Sequence, residues 1–581
     1  MANFFKELKR RNVIKATIAY LVVAWIIIQV AQAVLPTFGA PAWAIQLIII
    51  ILAIGLPIWV IISWIYDITP EGIAKTTKDP EKQLIKEIAN KRLNAFLIVS
   101  LSLAVLVMGL KLSNVFSASS NDPYSIAVMP FVNMSDDADQ EYFSDGLSEE
   151  LINQLALNQQ LKVIGRTSSF SFKGKNEDLR EIGRKLGASF LVEGSVRKSG
   201  NVLRITAQLI NAADGYHLFS KTFDRELKDI FAIQDEIAQA ILDAVKIELL
   251  ASEKEVVFKR YTENIEAYQL YLKARFHVNK FTPNGFLKAI EFFDAAIDID
   301  PSYAIAYAGK SFCYMNLRDF NWMPSDKSLP KGLKAAEMSI QLDDKIAESH
   351  LAVGRILLHY DWNIKEATIS FNKAIAINPS CAECYVQLSL CSVFSGNNSE
   401  AIKFANIAEN LDPLSLLNLT YISLFLMCTE DYPTLLKLGK KIIELEPNYF
   451  AGHYILAQSN VGLNRYEEAL REIQVAVNLN KDLLTLGALG SIYALGGDKS
   501  KALSVIEEMK GFEGAETTGA MQIAPVYLYM GDFDTAYRYY DSAIENRGGA
   551  ALFMKCHLNI SPEFKEDLRS KELIEKMNVI Y

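Results

Sequence analysis

No stretch after position 120 gathers lysine and arginine into a basic face, and 59 basic against 68 acidic residues leave a formal charge of −9 over 581 residues. Phosphate neutralisation needs such a face, so no nucleic-acid partner is expected. Cysteine is sparse as well. Cys313, Cys381, Cys384, Cys391, Cys428 and Cys556 are too few and too scattered for a disulfide framework. The one CxxC, Cys381-Ala-Glu-Cys384, lacks a second ligand pair at zinc spacing, which leaves two readings, packing positions on a helix or a redox pair. Gly174-Lys175 has no glycine loop ahead of it, and no GxGxxG follows a strand, so a phosphate cradle is missing. Asp136, Asp137, Asp139 and Glu141 lack the glycine and closing glutamate of a calcium loop and read as a solvated acidic loop. No nucleophile stands with a base to activate it. The expectation is a non-enzyme with no catalytic residue, metal or cofactor.

What is abundant is apolar sequence at the front. Three runs, about 14–35, 43–66 and 95–116, have the length and composition of transmembrane helices, and together they make residues 1–116 a membrane anchor in the lipid bilayer. Trp43, Trp64 and Tyr66 stand near span ends, where aromatic rings meet headgroups. Lys6, Lys9, Arg10, Arg11 and Lys15 precede the first run, residues 36–42 carry no basic residue, and the 67–94 loop carries Lys75, Lys78, Lys82, Lys86, Lys91 and Arg92. Positive-inside counting then puts the amino terminus and that loop in the cytoplasm, and residues 117–581 outside the inner membrane, in the periplasm of a two-membrane cell. Alternatively Ala31-Gln32-Ala33 ends a cleaved signal sequence, which leaves residue 117 onward on the same side.

Residues 121–255 change character. Short β-rich runs at 126–131, 161–164, 190–196, 203–210 and 216–223 alternate with helical periodicity at 142–156 and 176–186, which predicts a compact α/β domain. Asp214-Gly215 reads as a hairpin turn, and Asp145-Gly146 as a turn ahead of a helix whose first turn holds Ser148, Glu149 and Glu150. In "IGRTSSF", Arg166, Ser168 and Ser169 follow a β-run, and a hydroxyl-rich turn beside an arginine suits an anion or a partner's carboxylate. The plainer alternative has the hydroxyls capping a short helix while Arg166 pairs with a local acid.

The strings "PFVNMS", "EYFSDGLSEEL", "VIGRTSSF", "LVEGSVRKSG" and "IFAIQDEIA" resemble the TolB amino-terminal-like (FlgO-like) domain of bacterial envelope proteins and membrane-bound regulators. The resemblance implies a role in envelope assembly or sensing, with no catalytic set to carry over. "FFKELKRRNVIKA" and "WIYDITPEGI" look like the two-helix anchor that precedes such domains, where a winged helix or a cyclase domain can stand at the cytoplasmic end. Only 13 residues precede the first apolar run here. Transcription control and cyclic-nucleotide synthesis are therefore not expected as the chain's own activity.

Residues 256–548 repeat. Ala367, Ala401, Leu435 and Ala469 recur every 34 residues, Ala502 and Ala536 continue the series, and Pro379, Pro413 and Pro447 stand twelve positions beyond the first three. That period, with small residues early in a second helix and proline after it, marks tetratricopeptide (TPR) repeats, eight in all, closed by a capping segment at 549–581. Stacked helix pairs form an α-solenoid with a concave surface suited to proteins or peptides. Placing the regular repeats on the frame brings Val386, Leu390, Leu417, Thr420, Leu424, Met427, Tyr454 and Gln458 to that surface as peptide-groove candidates for an apolar helix or extended segment; the alternative is that these residues only pack between helices. The expected fold class is thus α/β plus all-α: transmembrane helices, a compact α/β domain, then a TPR solenoid. The expected function is a membrane-anchored periplasmic scaffold or sensor that binds proteins, or alternatively a receptor relaying periplasmic binding to a cytoplasmic partner.

Overall fold

The computed structural model describes residues 124–247, 254, 257–319, 322–548, 551–554, 556–557 and 561–577, with scattered positions between 17 and 75. The chain divides into two units, Met1–Ser120 and Asn121–Tyr581. In the first unit the Tyr20 hydroxyl donates to the Leu52 carbonyl at 2.7 Å and its ring stacks with Trp59. A two-stranded antiparallel hairpin pairs Tyr66–Thr69 with Gly72–Lys75. The expected spans at 14–35 and 43–66 are described only at scattered positions, and 95–116 lies outside the described residues. Among the described residues no helix is long and apolar enough to cross a membrane.

The second unit begins with a small mixed sheet. Strands β1 (Ser125–Val128), β2 (Val132–Asn133), β3 (Lys162–Val163), β4 (Phe190–Ser199), β5 (Val202–Asn211) and β6 (His217–Glu226) lie in the order β3-β1-β4-β5-β6, with β2 also against β4. β1 runs parallel to β3 and β4, while β4, β5 and β6 are antiparallel neighbours. Strand alternation sends Ile126, Val128 and Val192 to one face, under α1 (Glu141–Ala156) and α4 (Ile230–Ala244). Ala127 and Leu191 go to the other, packing with Ile182 and Leu186 of α3 (Leu179–Leu186). The β5–β6 turn uses Gly215 at φ +78°, a left-handed conformation that suits glycine.

Asp145 and Gly146 are not a turn. Both lie inside α1, and Ser148, Glu149 and Glu150 follow in its middle rather than in its first turn. The glycine serves helix packing: a Cβ there would stand 2.8 Å from the Leu272 side chain on α5 (Ile265–Val278), the first helix of the array. A residue type that marks turns in sequence is here a point of close approach between helices.

The rest is a TPR-like solenoid of eight helix pairs: α5 with α6 (Pro283–Ile299), α7 (Ala304–Asp319) with α8 (Ser325–Leu342), α9 (Ala347–His359) with α10 (Ile364–Ile377), α11 (Ala382–Phe394) with α12 (Asn398–Leu411), α13 (Leu416–Leu426) with α14 (Tyr432–Leu445), α15 (Phe450–Gly462) with α16 (Tyr466–Leu479), α17 (Leu483–Leu495) with α18 (Lys499–Met509), and α19 (Ala520–Tyr529) with α20 (Phe533–Glu545). Ala367, Ala401, Leu435, Ala469, Ala502 and Ala536 are all buried in second helices, where small side chains let partner helices close. Two short helices, α21 (Pro562–Glu566) and α22 (Leu568–Met577), follow, with Phe564, Leu573 and Met577 buried. One apolar core runs without a break from Ile126 in the sheet to Ile346 in the array. The α/β domain and the first repeats therefore form a continuous body.

Candidate functional site

The hydroxyl-rich turn does bind a carboxylate, and the carboxylate belongs to the same chain. Arg166–Phe170 forms a one-turn helix, α2. Asp412, in the turn between α12 and α13, accepts from the Ser168 backbone N–H at 2.8 Å and from its hydroxyl at 2.5 Å. The Ser168 hydroxyl oxygen in turn accepts from the Leu414 N–H at 2.8 Å, and the Gly165 N–H donates to the Leu411 carbonyl at 2.7 Å. Burial raises the Asp412 pKa against the lowering effect of these Ser168 hydrogen bonds. Ser169 is buried. Arg166 lies 2.9 Å from Glu149 and stacks over the Phe170 ring at 3.8 Å. Of the anion or partner site expected at Arg166, Ser168 and Ser169, Arg166 and Ser168 are engaged by internal contacts, while the buried Ser169 hydroxyl has no hydrogen-bond partner among the described residues.

The same seam repeats one turn at a time along the array. Lys259 pairs with Asp343 after α8, the Val163 N–H donates to the Ser380 hydroxyl at 3.0 Å after α10, and Ser168 holds Asp412 after α12. Glu149 anchors the inner end. It accepts from Arg275 Nε at 2.7 Å and Asn279 Nδ2 at 2.9 Å, both near the end of α5. Burial opposes its ionisation, but Arg275 and then Arg166 outweigh burial and hold its pKa below the usual carboxylate value. Next to it Glu150 is pushed up to about 8 by burial and then by Glu149, which outweigh the favourable effects of Arg275 and of its hydrogen bond with Asn153.

The concave side of the array holds a cavity of about 580 Å³. Of the groove candidates, Leu424, Met427, Tyr454 and Gln458 line it. Leu417 and Thr420 are partly buried away from it, and the Thr420 hydroxyl donates to the Leu416 carbonyl within its own helix at 2.7 Å. Val386 and Leu390 are a correction: both are wholly buried in the core that also contains Leu552 and Met554 of the carboxyl-terminal segment. Gln387 is the residue of α11 that reaches the cavity. The carboxyl-terminal segment returns onto the array and shares that core, a closure the 34-residue frame does not contain.

That return is visible in several contacts. Phe553 stacks on Phe425 with centroids 6.0 Å apart, Arg547 donates to the Tyr360 carbonyl at 3.1 Å, and Arg318 donates to the Arg547 carbonyl at 3.1 Å. Cys428 and Cys556 form a disulfide, as do Cys381 and Cys384. The expectation of no disulfide framework is corrected for Cys428 and Cys556, while Cys381 and Cys384, left open between packing positions and a redox pair, are bonded. Cys428 and Cys556 stand 128 residues apart, so only the closure of the superhelix brings them together. In the CxxC, Cys381 is also the N-cap of α11, its sulfur accepting from the Cys384 N–H. No cluster of three metal-ligating side chains occurs among the described residues.

A buried polar group sits at one part of the cavity wall. Arg355 donates to Asp319 at 2.7 Å and to Glu383 at 3.2 Å, and His359 pairs with Gln387 at 2.9 Å. Burial lowers the His359 pKa, and it pushes His557, also on the wall, down to about 4, so both rings are neutral near pH 7. Burial works against the Arg355 charge, but Glu383 and Asp319 outweigh it and raise its pKa.

Residues 122–240 match the family described as HilA/YgeH-like transcriptional regulator, second domain. The chain is 37% identical over 235 residues to putative adenylate cyclase 3 of Rhizobium meliloti (strain 1021), covering 40% of each. It is 29% identical over 150 residues to the mitochondrial import receptor subunit TOM70 of Rattus norvegicus, covering 26% of this chain and 22% of that one. It is also similar to the crystal structure of YrrB, a TPR protein with an unusual peptide-binding site, at 17% identity and a TM-score of 0.25, covering 37% of this chain and 97% of that one. The chain spans two fifths at most of the length of these curated relatives.

Proposed function

We propose that this chain is a membrane-anchored periplasmic interaction scaffold or sensor, in which a TolB amino-terminal-like (FlgO-like) domain is clamped to a TPR array whose concave face receives the partner. The observation that carries the reading is the cavity of about 580 Å³ on that face, beside a seam whose charges are already satisfied within the chain. TPR arrays build interaction surfaces from their first helices, and those helices supply most of the wall here.

Two observations support the location. Disulfides persist in oxidising compartments, and the Cys428–Cys556 and Cys381–Cys384 pairs suit the periplasm better than a reducing cytosol. In the first unit, Leu21, Val22, Val23 and Trp25 are each at least half exposed, an apolar surface that suits lipid. Reporter fusions at the carboxyl terminus test the topology: activity confined to the cytoplasm overturns it. Cross-linking in intact cells, followed by identification of the captured protein, tests the scaffold role.

The second reading is a signalling receptor that relays binding through the anchor to a cytoplasmic partner. The relatives named as a transcriptional regulator and an adenylate cyclase favour it. A captured cytoplasmic protein whose yield depends on the 67–94 loop would select this reading over a purely periplasmic scaffold.

A further inference from the structure

We infer that the concave cavity binds a small amphiphile, a molecule with an apolar body and a head that accepts hydrogen bonds, in place of an extended peptide. The inference rests on the reading of the concave face as the receptive surface and goes beyond it in naming the ligand class. Size is the first argument. A volume of about 580 Å³ falls within the roughly 300–1,000 Å³ of small-molecule sites. An extended peptide needs a groove with a clear run along successive repeats. Here Phe553, Cys556 and His557 form part of the wall, and the Cys428–Cys556 bond fixes them there.

The distribution of chemistry along the array is the second argument. Repeats two to four contribute the polar part, Asp319, Arg355, His359 and Gln387. Repeats five and six contribute an apolar and aromatic part that includes Leu424, Met427, Phe450 and Tyr454. An acceptor head among Arg355, His359 and Gln387 with the apolar body along Leu424 and Tyr454 matches the polar and the apolar parts of the wall together. Asp319 and Glu383 already offset the arginine charge, so the head is recognised by hydrogen bonding rather than by charge.

The test uses the full chain held in an amphipathic polymer, so that free detergent does not compete, and cis-parinaric acid as the fluorescent probe. N-phenyl-1-naphthylamine, which has the apolar body but no carboxylate acceptor, is the comparison. Saturable binding of one acid per chain is expected, with at least a tenfold weaker affinity for the amine. Ser491→Trp on α17 and Gln458→Trp on α15 each fill the cavity from a different helix, and either is expected to weaken acid binding at least tenfold. Thermal melting identifies which variant is folded. No saturable binding by the wild-type chain, equal affinity for acid and amine, or undiminished binding by a folded tryptophan variant would overturn the inference. Capture of a protein partner is read separately by cross-linking. Loss of partner capture with acid binding intact sinks the scaffold reading alone, and the reverse sinks this inference alone.

Discussion

Along the turns at Ser380 and Asp412 the array meets the α/β domain with a hydroxyl, a carboxylate and backbone N–H groups. On its concave side it meets its own carboxyl-terminal segment with aromatic rings and a disulfide. The first seam recurs on the turns of successive repeats, with the Lys259–Asp343 pair on the turn before those of Ser380 and Asp412, and each of Asp343, Ser380 and Asp412 has a partner. The second leaves about 580 Å³ between its walls. Directional contacts at fixed spacing join two domains into one body, while a looser apolar contact closes a space without filling it. The difference separates the surface already used for assembly from the surface left for a ligand.

The largest effect is expected where the seam is most deeply buried. Glu149→Ala removes the carboxylate that holds Arg275 and leaves that guanidinium buried without its main partner. Breaking such a pair from one side costs roughly 3–5 kcal/mol. Urea unfolding should show a loss of that size, with the sheet and the first repeats losing structure in one transition because they share a core. If the comparison is right, the same variant leaves amphiphile binding by the remaining folded population unchanged.

On the concave side, Cys556→Ser releases the carboxyl-terminal segment from α13's end. A disulfide typically stabilises by roughly 2–4 kcal/mol. The loss should appear in unfolding of the last repeats and should not exceed the effect of a dithiol on the wild type, which also reduces Cys381–Cys384. Amphiphile affinity should fall as the wall loosens. A Glu149→Ala chain that loses binding and a Cys556→Ser chain that keeps it would invert the assignment of the two surfaces.

Glu150 sharpens the contrast between the acid held ionised and the acid held neutral within the seam. Its pKa in the fold, about 8, lies above the unfolded value of about 4. The neutral form is therefore the one the fold prefers. Its contribution to stability is full below about pH 4 and is lost as pH rises through about 8. Glu150→Gln removes that dependence, so the variant should match the wild type near pH 4 and exceed it by about 2 kcal/mol at pH 8 once partial exposure is allowed for. Chemical denaturation at the two pH values measures the difference, and a gain of equal size at both would show that Glu150 is not the titrating group.

Much of the array is legible in the residue order because its signal is periodic. A small residue is needed at the same point of every second helix, so the spacing of Ala367, Ala401, Ala469, Ala502 and Ala536 is enough to register the repeat. Five of the six strands of the sheet are legible for the same reason, since alternation sorts residues such as Ile126 and Ala127 onto opposite faces. What escapes is non-periodic. Gly146 has the composition of a turn and the role of a helix contact, and only the position of Leu272, 126 residues later, tells the two apart. Cys556 meets Cys428, and Phe553 covers Phe425, through a closure that depends on the summed twist of several repeats. Val386 and Leu390 are misplaced for a nearer reason: both are buried in the core, and Gln387 beside them on α11 is the one on the cavity wall.

The smallest effect tests the hydroxyl turn directly. Ser168 offers Asp412 two hydrogen bonds, one from the main chain and one from the side chain, so Ser168→Ala removes only the hydroxyl. Asp412→Ala removes the acceptor for both and also the bond from Asn418. If the turn is an assembly contact, the two substitutions share one interaction, and a double-mutant cycle should return a coupling of about 1 kcal/mol. If the turn instead serves an external anion, Ser168→Ala should weaken capture of a partner while its stability cost adds independently to that of Asp412→Ala. The measured coupling therefore decides whether Arg166, Ser168 and Ser169 belong to the seam or to a second receptive surface, and the internal geometry predicts the seam.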